Sequence, residues 1–311
     1  MHRLKTWQLL AICVLTWGTT WHVITYQIGH TPPEVGVALR FGLAAMLVLG
    51  GCAWRGVPLR FAWADHARFA VQGGFMYGVS YVCVYHAEQH VASGLVAVGY
   101  SASPLISGLG ALLLFGVAVT QRFIWGGLLA MAGVALIFWP QFGNEFGKGA
   151  HGSGTALGVA FTLASVVLST IGSLSASRNR THRLPFWPAL GFGMLYGATA
   201  AALIAWVQGQ SFALPTVASW WVALLYLALF GSVLTFACFL TLQERIGPGP
   251  AGSVGALTPL LALAMSIGFE GYAPDALTAA GATLAVLGNA LMLGRASTRA
   301  GTLKPATAAA K

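Results

Sequence analysis

The feature that most constrains this chain is an internal repeat, in which each copy carries five apolar runs. Pro33 and Pro188 are 155 positions apart, as are Pro104 and Pro259, and the apolar runs keep this register without a gap. If each run crosses a membrane, five crossings leave the chain on the opposite side, so the second copy is inserted upside down. Two inverted halves around an axis in the membrane plane are a recurrent architecture of secondary transporters.

Composition places these runs in lipid. Only 7% of the residues are charged and 57% are hydrophobic, whereas a soluble domain has about 25% charged residues. A membrane-spanning helix needs about 20 apolar residues. The sequence therefore predicts an all-α integral membrane protein, with ten transmembrane helices arranged as two inverted five-helix repeats around a central cavity. The predicted spans are 7–29, 33–53, 65–87, 92–117, 122–140, 153–176, 184–208, 217–241, 247–270 and 275–294.

The basic residues predict the orientation of the chain. All but two of the 16 lysines and arginines fall in segments assigned to one side; Lys148 lies on the other side and Arg40 within a span. This positive-inside bias places both termini in the cytoplasm. This bias explains the net charge of +9 as a signal of membrane topology, so we expect no nucleic acid as a partner. The predicted domains are a first repeat over 1–142, an inverted second repeat over 151–294 and a basic cytoplasmic tail over 295–311.

No motif indicates an enzyme, a cofactor or a metal. Gly247 to Gly252 matches G-x-G-x-x-G, but a dinucleotide site needs a preceding strand, and an apolar helix is predicted there. The chain has neither a phosphate-binding loop nor an H-E-x-x-H pair, which argues against an ATP-driven pump or an intramembrane protease. The cysteines stand singly inside predicted helices, where they pack as small apolar side chains. They are Cys13, Cys52, Cys83 and Cys238.

His86 and His90 lie four residues apart on one helical face, with Glu88 between them. Such spacing can hold a metal, although no third ligand is apparent. Three interpretations stay open: residues at the membrane interface, a metal site and a pH-sensitive outer gate. The same cluster is the one candidate for the catalytic site of a membrane-embedded enzyme.

Arg40 is the basic residue well inside a predicted span. Burial at mid-membrane costs about 3 kcal/mol on insertion scales, so such a residue faces a polar interior and has partners. Glu34 and Glu88 are candidate partners. Two interpretations stay open: structural support through bonds to helix-end carbonyls, and a substrate or gating role.

Aromatic side chains predict a substrate cavity. Tyr77, Tyr81 and Tyr85 are spaced by four residues on one helical face. With Trp17 and Trp21, they lie too near the membrane centre to form an interfacial belt. They either pack or line a wet cavity, and a tyrosine hydroxyl without a partner in lipid favours the cavity. The predicted substrate-binding residues are Trp17, Trp21, His22, Arg40, Tyr77, Tyr81, His86 and Tyr100, in a cavity between helices 1, 3, 4, 6, 8 and 9.

Pro104 and Pro259 fall at equivalent places in the middle of helices 4 and 9. A proline inside a helix removes one backbone hydrogen bond and bends the helix. We interpret the pair as matched hinges; a purely structural kink is the alternative.

Several segments of the chain, in the order in which they occur, resemble those of the drug/metabolite transporter superfamily. The resemblance is to the ten-helix branch that is built from two EamA-type repeats. The matching segments are Trp17-Gly18, Pro33 to Ala45, Pro104-Leu105, Pro259-Leu260, Glu270-Gly271 and the glycine-spaced 126–136 and 281–291. The resemblance covers 7–294, and the aromatic-rich helices 1 and 3 are similar to those of bacterial aromatic amino-acid exporters. One departure is Phe115, which stands where the resemblance implies a second acidic residue beside Glu270.

The resemblance implies a protein of the bacterial inner membrane that moves amino acids, aromatic or broad-range, out of the cell by alternating access. We expect a monomer, with small-molecule substrates and the lipid bilayer as partners. The acidic residues lie near the ends of the predicted helices, which favours facilitated diffusion over proton antiport. A multidrug exporter of flat lipophilic cations is the alternative, because aromatic faces bind cations. A channel or a scaffold is a further alternative class.

Overall fold

The computed structural model describes residues 4–146, 153–252 and 254–293, and the regular structure in these ranges is helical. The helices are α1 (Thr6–Thr25), α2 (Pro33–Trp54), α3 (Trp63–Gly73, Gly74–Val79 and Ser80–Glu88), α4 (Ser93–Gly99, Tyr100–Ala102 and Ser103–Phe115), α5 (Gln121–Phe146), α6 (Ser153–Thr181), α7 (Phe186–Val207), α8 (Ala218–Tyr226, Leu227–Leu234 and Thr235–Ile246), α9 (Pro248–Ala251 and Val254–Phe269) and α10 (Ala276–Leu293).

Each predicted span contains a helix in these described ranges, with ends shifted by a few residues. Five helical stretches are long and apolar enough to cross a membrane, and the other apolar stretches are shorter. The five are Pro33–Trp54, Ser93–Phe115, Gly154–Thr181, Phe186–Val207 and Ala218–Ile246; the shorter ones are Gln121–Ile137, Leu257–Phe269 and Ala276–Met292. α6 continues past the predicted end at 176, because Arg178 and Arg180 in its last turn stabilise the negative end of the helix dipole.

Ion pairs identify two ends of the helix bundle. At the end where α1 begins, here called the terminal end, Arg180 of α6 pairs with Glu244 of α8 at 2.6 Å. At the opposite end, here called the far end, His86 of α3 pairs with Glu34 of α2 at 2.7 Å. Arg245, next to Glu244, donates to the carbonyl oxygen of Leu4 at 2.6 Å, which places the start of α1 at the terminal end.

α5 and α10 pack through glycines that correspond to one another in the repeat. A Cβ atom at Gly126 would lie 2.6 Å from the Gly288 carbonyl oxygen, and one at Gly133 would lie 2.4 Å from that of Gly281. Gly126 corresponds to Gly281 and Gly133 to Gly288, so each copy offers the same two glycines to the other. Reciprocal contacts of this kind are typical of units related by a two-fold axis.

The backbone also departs from the α-helix at corresponding places. Gly74–Val79 in α3 and Leu227–Leu234 in α8 are π-helical, and 74–79 corresponds to 229–234 at the 155-residue offset. A π-helical stretch shifts the backbone hydrogen bonds by one residue, and such stretches occur frequently at functional sites.

Pro104 and Pro259 affect the backbone differently. α4 tightens into a 3₁₀ turn at Tyr100–Ala102, and Pro104 lies in the first turn of the helix that follows. A proline is tolerated there because its missing N–H has no intrahelical acceptor. Pro259 lies inside Val254–Phe269, where it removes a hydrogen bond. A role as matched hinges stays a prediction.

The contact between α3 and α7 generates a first prediction. A Cβ atom at Gly73 would lie 1.9 Å from the Gly193 carbonyl oxygen, so Gly73→Ala forces the helices apart at a cost of about 1–3 kcal/mol. We expect a lower midpoint of thermal unfolding in detergent. Gly50→Ala is the control, because no atom lies within 4 Å of a Cβ at that exposed position. An unchanged midpoint for Gly73→Ala would contradict the packing.

Candidate functional site

A cavity with about 850 Å³ of empty space, its open mouth included, lies at the centre of the bundle. Its walls come from α1, α3, α4, α6, α8 and α9, which are the six helices that the sequence predicts around it. The lining residues are Trp17, Thr20, Trp21, Ile24, Met76, Tyr81, Ala97, Tyr100, Ser103, Ser107, Ser169, Thr170, Ser173, Phe236, Phe239, Gly252, Val254, Gly255, Thr258 and Pro259.

Aromatic rings form one wall of the cavity. Trp21 packs against Tyr100 with ring centroids 5.2 Å apart, and Tyr81 meets Phe236 at 6.1 Å. Trp17 lies 5.1 Å from Phe236 in an edge-to-face contact. Four of the predicted binding residues, Trp17, Trp21, Tyr81 and Tyr100, therefore lie together on the cavity surface.

The π-helical stretch of α8 holds Trp17 in place. The indole Nε1 of Trp17 donates a hydrogen bond to the carbonyl oxygen of Gly231, 3.2 Å away. Gly231 lies within Leu227–Leu234, where the shifted bonding pattern leaves carbonyl groups open to side-chain donors. The π-helical stretch therefore holds the ring of Trp17 at the cavity wall.

Hydroxyl groups lie on the cavity surface beside these rings. Ser103 and Ser107 of α4, and Ser169, Thr170 and Ser173 of α6, lie on the cavity surface. The hydroxyl of Thr258, just before Pro259, is buried and has no hydrogen-bond partner among the described residues. Such a group is completed by water or by a ligand in the cavity.

Tyr77 and Arg40 lie behind the aromatic wall. Tyr77 is fully buried and packs edge-to-face on Phe236 at 4.8 Å. Arg40 is also fully buried; its Nε donates to Ser232 Oγ at 2.9 Å, and its guanidinium carbon lies 4.7 Å from the ring centre of Tyr81. Its two Nη atoms have no hydrogen-bond partner in the described part of the chain. Arg40 thus contributes positive charge behind Tyr81 without forming part of the cavity surface.

A hydrogen-bonded cluster, here called the far-end seal, joins α1, α4 and α9. It consists of His22, Ser93, Ser266 and Glu270. The Glu270 carboxylate lies 3.1 Å from His22 Nδ1, and it accepts bonds from the Ser93 backbone N–H at 3.2 Å, from the Ser93 hydroxyl and from the Ser266 hydroxyl at 3.0 Å. His22, a predicted binding residue, is therefore committed to this seal.

His86, the remaining predicted binding residue, lies outside the cavity. Its Nε2 bonds the Glu34 carboxylate, which is 1% exposed, and its ring stacks on Phe161 at 5.0 Å. Glu34 is therefore the partner of His86, and the expected pairing of Glu34 with Arg40 is wrong. No group of three His, Cys, Asp or Glu side chains within the described ranges could hold a metal.

Several cavity residues were not singled out from the sequence as binding residues, although the repeat contains the signal for some of them. Phe236 and Gly255 line the cavity, and they correspond at the 155-residue offset to the predicted binding residues Tyr81 and Tyr100, so extending those predictions to the counterparts finds both. Thr258 corresponds to Ser103, which also lines the cavity and was not predicted. No comparable signal marks Phe239 or Thr170.

A bundle of membrane-length apolar helices around an enclosed, partly polar cavity defines the class of membrane transporters. The profile of the EamA-like transporter family matches the chain twice, over residues 5–139 and 156–294. The chain belongs to this family.

Its relatives carry transporter names. An uncharacterized inner membrane transporter, YedA of Escherichia coli (strain K12), is 28% identical over 270 residues, which are 85% of this chain and 82% of the relative. The biotin transporter of Salmonella typhimurium (strain LT2) is 24% identical over 231 residues, 72% of this chain and 71% of the relative. A solved crystal structure, 20% identical, shares the fold with a TM-score of 0.67 and covers 92% of this chain and 96% of its own.

The extent of the cavity generates a second prediction. The lining includes Ser173, Phe239 and Gly252 toward the terminal end, and at the far end the hydrogen bonds of Glu270 join three helices. We expect a hydrophilic thiol reagent to label Ser173→Cys rapidly in the purified protein. Thr199→Cys is the control, because it lies on the outer, lipid-facing surface of α7. The four native cysteines are buried and give a low background. Equal labelling of the two variants would contradict a water-filled cavity.

Proposed function

We propose that this protein exports amino acids, aromatic or broad-range, by alternating access between two inverted five-helix halves of ten transmembrane helices. The observation that carries the proposal is the central cavity, whose surface carries both indole and phenol rings and hydroxyl groups. An amino acid offers a matching pair of surfaces, an apolar side chain and a polar carboxylate and ammonium group.

The inverted arrangement is supported by the reciprocal glycine contact between α5 and α10 and by the corresponding π-helical stretches of α3 and α8. The two matches to the family profile, 5–139 and 156–294, end 155 residues apart. An odd number of crossings in each half makes the halves antiparallel, which is how inverted-repeat transporters place their substrate site near the midplane.

The cavity favours amphipathic substrates. Tyrosine and tryptophan rings bind apolar groups through their faces and retain a polar N–H or O–H group at the edge. The indole Nε1 of Trp21 and the hydroxyl of Thr258 lack partners in the described structure, so both are available to a substrate's polar groups. The positive charge of Arg40 behind Tyr81 favours a carboxylate on the cavity side of the ring.

The aromatic wall of the cavity gives less support to the alternative function, a multidrug exporter of lipophilic cations. The described lining residues include no aspartate or glutamate, so a cation entering the cavity has aromatic faces but no carboxylate to balance its charge. Biotin, the substrate named for one relative, is another amphipathic carboxylate and belongs in any binding screen.

A thermal-shift screen of the purified protein tests the substrate class. We expect aromatic amino acids to raise the unfolding midpoint more than alanine, biotin or a quaternary ammonium dye does. Trp21→Ala and Tyr81→Ala should weaken that binding roughly tenfold each, because a lost ring contact costs about 1 kcal/mol beyond its buried area.

Trp206→Ala is the control for these two variants, because its ring is 73% exposed on the outer surface of α7. If Trp21→Ala and Tyr81→Ala bind the ligand as tightly as the parent does, the aromatic wall is packing and the proposed site is wrong. A shift with the dye alone would favour the cation exporter.

The proposed topology makes a separate prediction. The loops that carry Arg60 and Arg122 lie at the terminal end, which the positive-inside rule assigns to the cytoplasm, and the loop with Gln210 lies at the far end. In intact cells, an impermeant thiol reagent should label Gln210→Cys but not Arg60→Cys or Arg122→Cys. All three positions are exposed. Labelling of all three positions from outside the cell would contradict the inverted-repeat arrangement.

A further inference from the structure

Glu88, the last residue of α3, differs from the other acidic residues. It is 9% exposed, and both carboxylate oxygens are buried without a hydrogen-bond partner in the described structure. The other acidic side chains that are described all have partners: Glu34 with His86, Asp65 with Arg68, Glu244 with Arg180, Glu270 with His22 and Asp275 with the Thr278 backbone. A carboxylate that is removed from water and left without donors is costly, and the group takes up a proton instead.

The repeat provides an independent comparison. The counterpart of Glu88 at the 155-residue offset is Gln243, the uncharged side chain of the same shape, which is 5% exposed at the opposite end of the bundle. The neutral form thus suits the equivalent environment in the other half. The first half carries a group that can also ionise.

The groups packed around Glu88 determine how ionisation of its carboxyl group affects the helices nearby. α2, α4 and α6 pack on the second half of α3. Glu88 lies five residues before Ser93, whose backbone N–H and hydroxyl bond Glu270; at this end of the bundle Glu270 repels a charge on Glu88 and Arg40 attracts it. Glu34 is paired with His86, Tyr85 bonds Gln27 at 2.8 Å, and His90 is exposed. α6 contributes Phe161 to this region, and its arginines lie at the terminal end.

Glu270 is the centre of the far-end seal. It accepts hydrogen bonds from α4 and α9 and contacts His22 of α1. A second negative charge nearby disfavours its position, because like charges repel strongly in a medium of low dielectric constant. The charge state of Glu88 therefore acts on the group that holds three helices together.

We propose that Glu88 is a proton-binding site that controls the far-end seal, so that transport by this protein is coupled to protons. With the proton on Glu88, Glu270 stays in place and the far end is closed. Loss of the proton puts a negative charge on Glu88 that repels Glu270, draws Glu88 toward Arg40 and releases the seal. Re-protonation from the far side closes it again.

In the exporter proposed above, on which this inference rests, one proton enters for each opening of the far end. The proton leaves Glu88 toward the cavity while the terminal end is open, and the next one binds from outside when the far end is open. Acid on the far side therefore accelerates export. The proposal departs from the expectation of facilitated diffusion, which treated every acidic residue as an ordinary helix-end group.

The first test needs no substrate. Ala97→Cys places a reporter thiol at a cavity-lining position one helical turn inside Ser93 of the seal, and an impermeant thiol reagent is applied to intact cells at about pH 5 and about pH 8. After normalisation to the exposed Gln210→Cys, we expect labelling to be several-fold faster at the higher pH. With Glu88→Gln added, labelling should stay slow at both values. The proposal is overturned if the reporter thiol is labelled equally fast at both pH values while Glu88 is present. It is also overturned if the pH response persists after Glu88→Gln.

The second test measures flux of a labelled aromatic amino acid from oriented proteoliposomes, with and without acid on the far side. The parent should export faster with the gradient, Glu88→Gln should lose that acceleration, and Glu244→Gln, at the terminal end, should retain it. Flux without acceleration overturns the proton coupling and leaves the proposed function standing. If the proteoliposomes show no amino-acid flux but the reporter thiol still responds to pH, the proposed substrate is wrong and the proton-controlled seal still stands.

Discussion

Polar atoms inside this bundle depend on protein partners, because neither lipid nor a packed core replaces the hydrogen bonds of water. Many hydroxyl groups bond back to their own helix, as Thr162 and Ser165 do in α6. The buried atoms without a partner in the described structure include Trp21 Nε1 and Thr258 Oγ1 at the cavity, and groups of Arg40 and Glu88 near it. Others lie in packed regions, among them Tyr77 OH and Asn289 Oδ1, so unpartnered atoms mark the cavity only together with the residues that line it.

The buried Arg40 shows how the bundle holds a charge without exposing it to lipid. Its guanidinium lies over the rings of Tyr81 and Phe41, 4.7 and 5.1 Å from their centres, and its Nε is bonded to Ser232. Aromatic faces partly replace water around a cation. Since Tyr81 also lines the cavity, the positive charge reaches a ligand through a single ring. Structural support and an effect on the substrate are therefore compatible roles for one residue.

Periodicity and the repeat allowed the helices and the cavity walls to be predicted, because both depend on patterns that extend over many residues. The individual roles of polar residues depend on contacts between distant positions, which no local pattern encodes. His22 bonds Glu270, 248 positions away, and Trp17 bonds Gly231 through a π-helical stretch. Nor did any local signal separate Tyr77, which packs behind the wall, from Tyr81, which lines the cavity.

The two ends of the bundle close by different chemistry, despite the repeat. The far-end seal uses His22, Ser93, Ser266 and Glu270, whose counterparts at the 155-residue offset are Ser177, Pro248, Ala111 and Phe115. Pro248 has neither a backbone N–H nor a hydroxyl to donate, and Phe115 cannot accept. An equivalent hydrogen-bonded seal is therefore impossible at the terminal end, where contacts of another kind must exclude water. A titratable group at the far end, as proposed for Glu88, would act on one end alone, which is the asymmetry that coupling transport to a proton gradient requires.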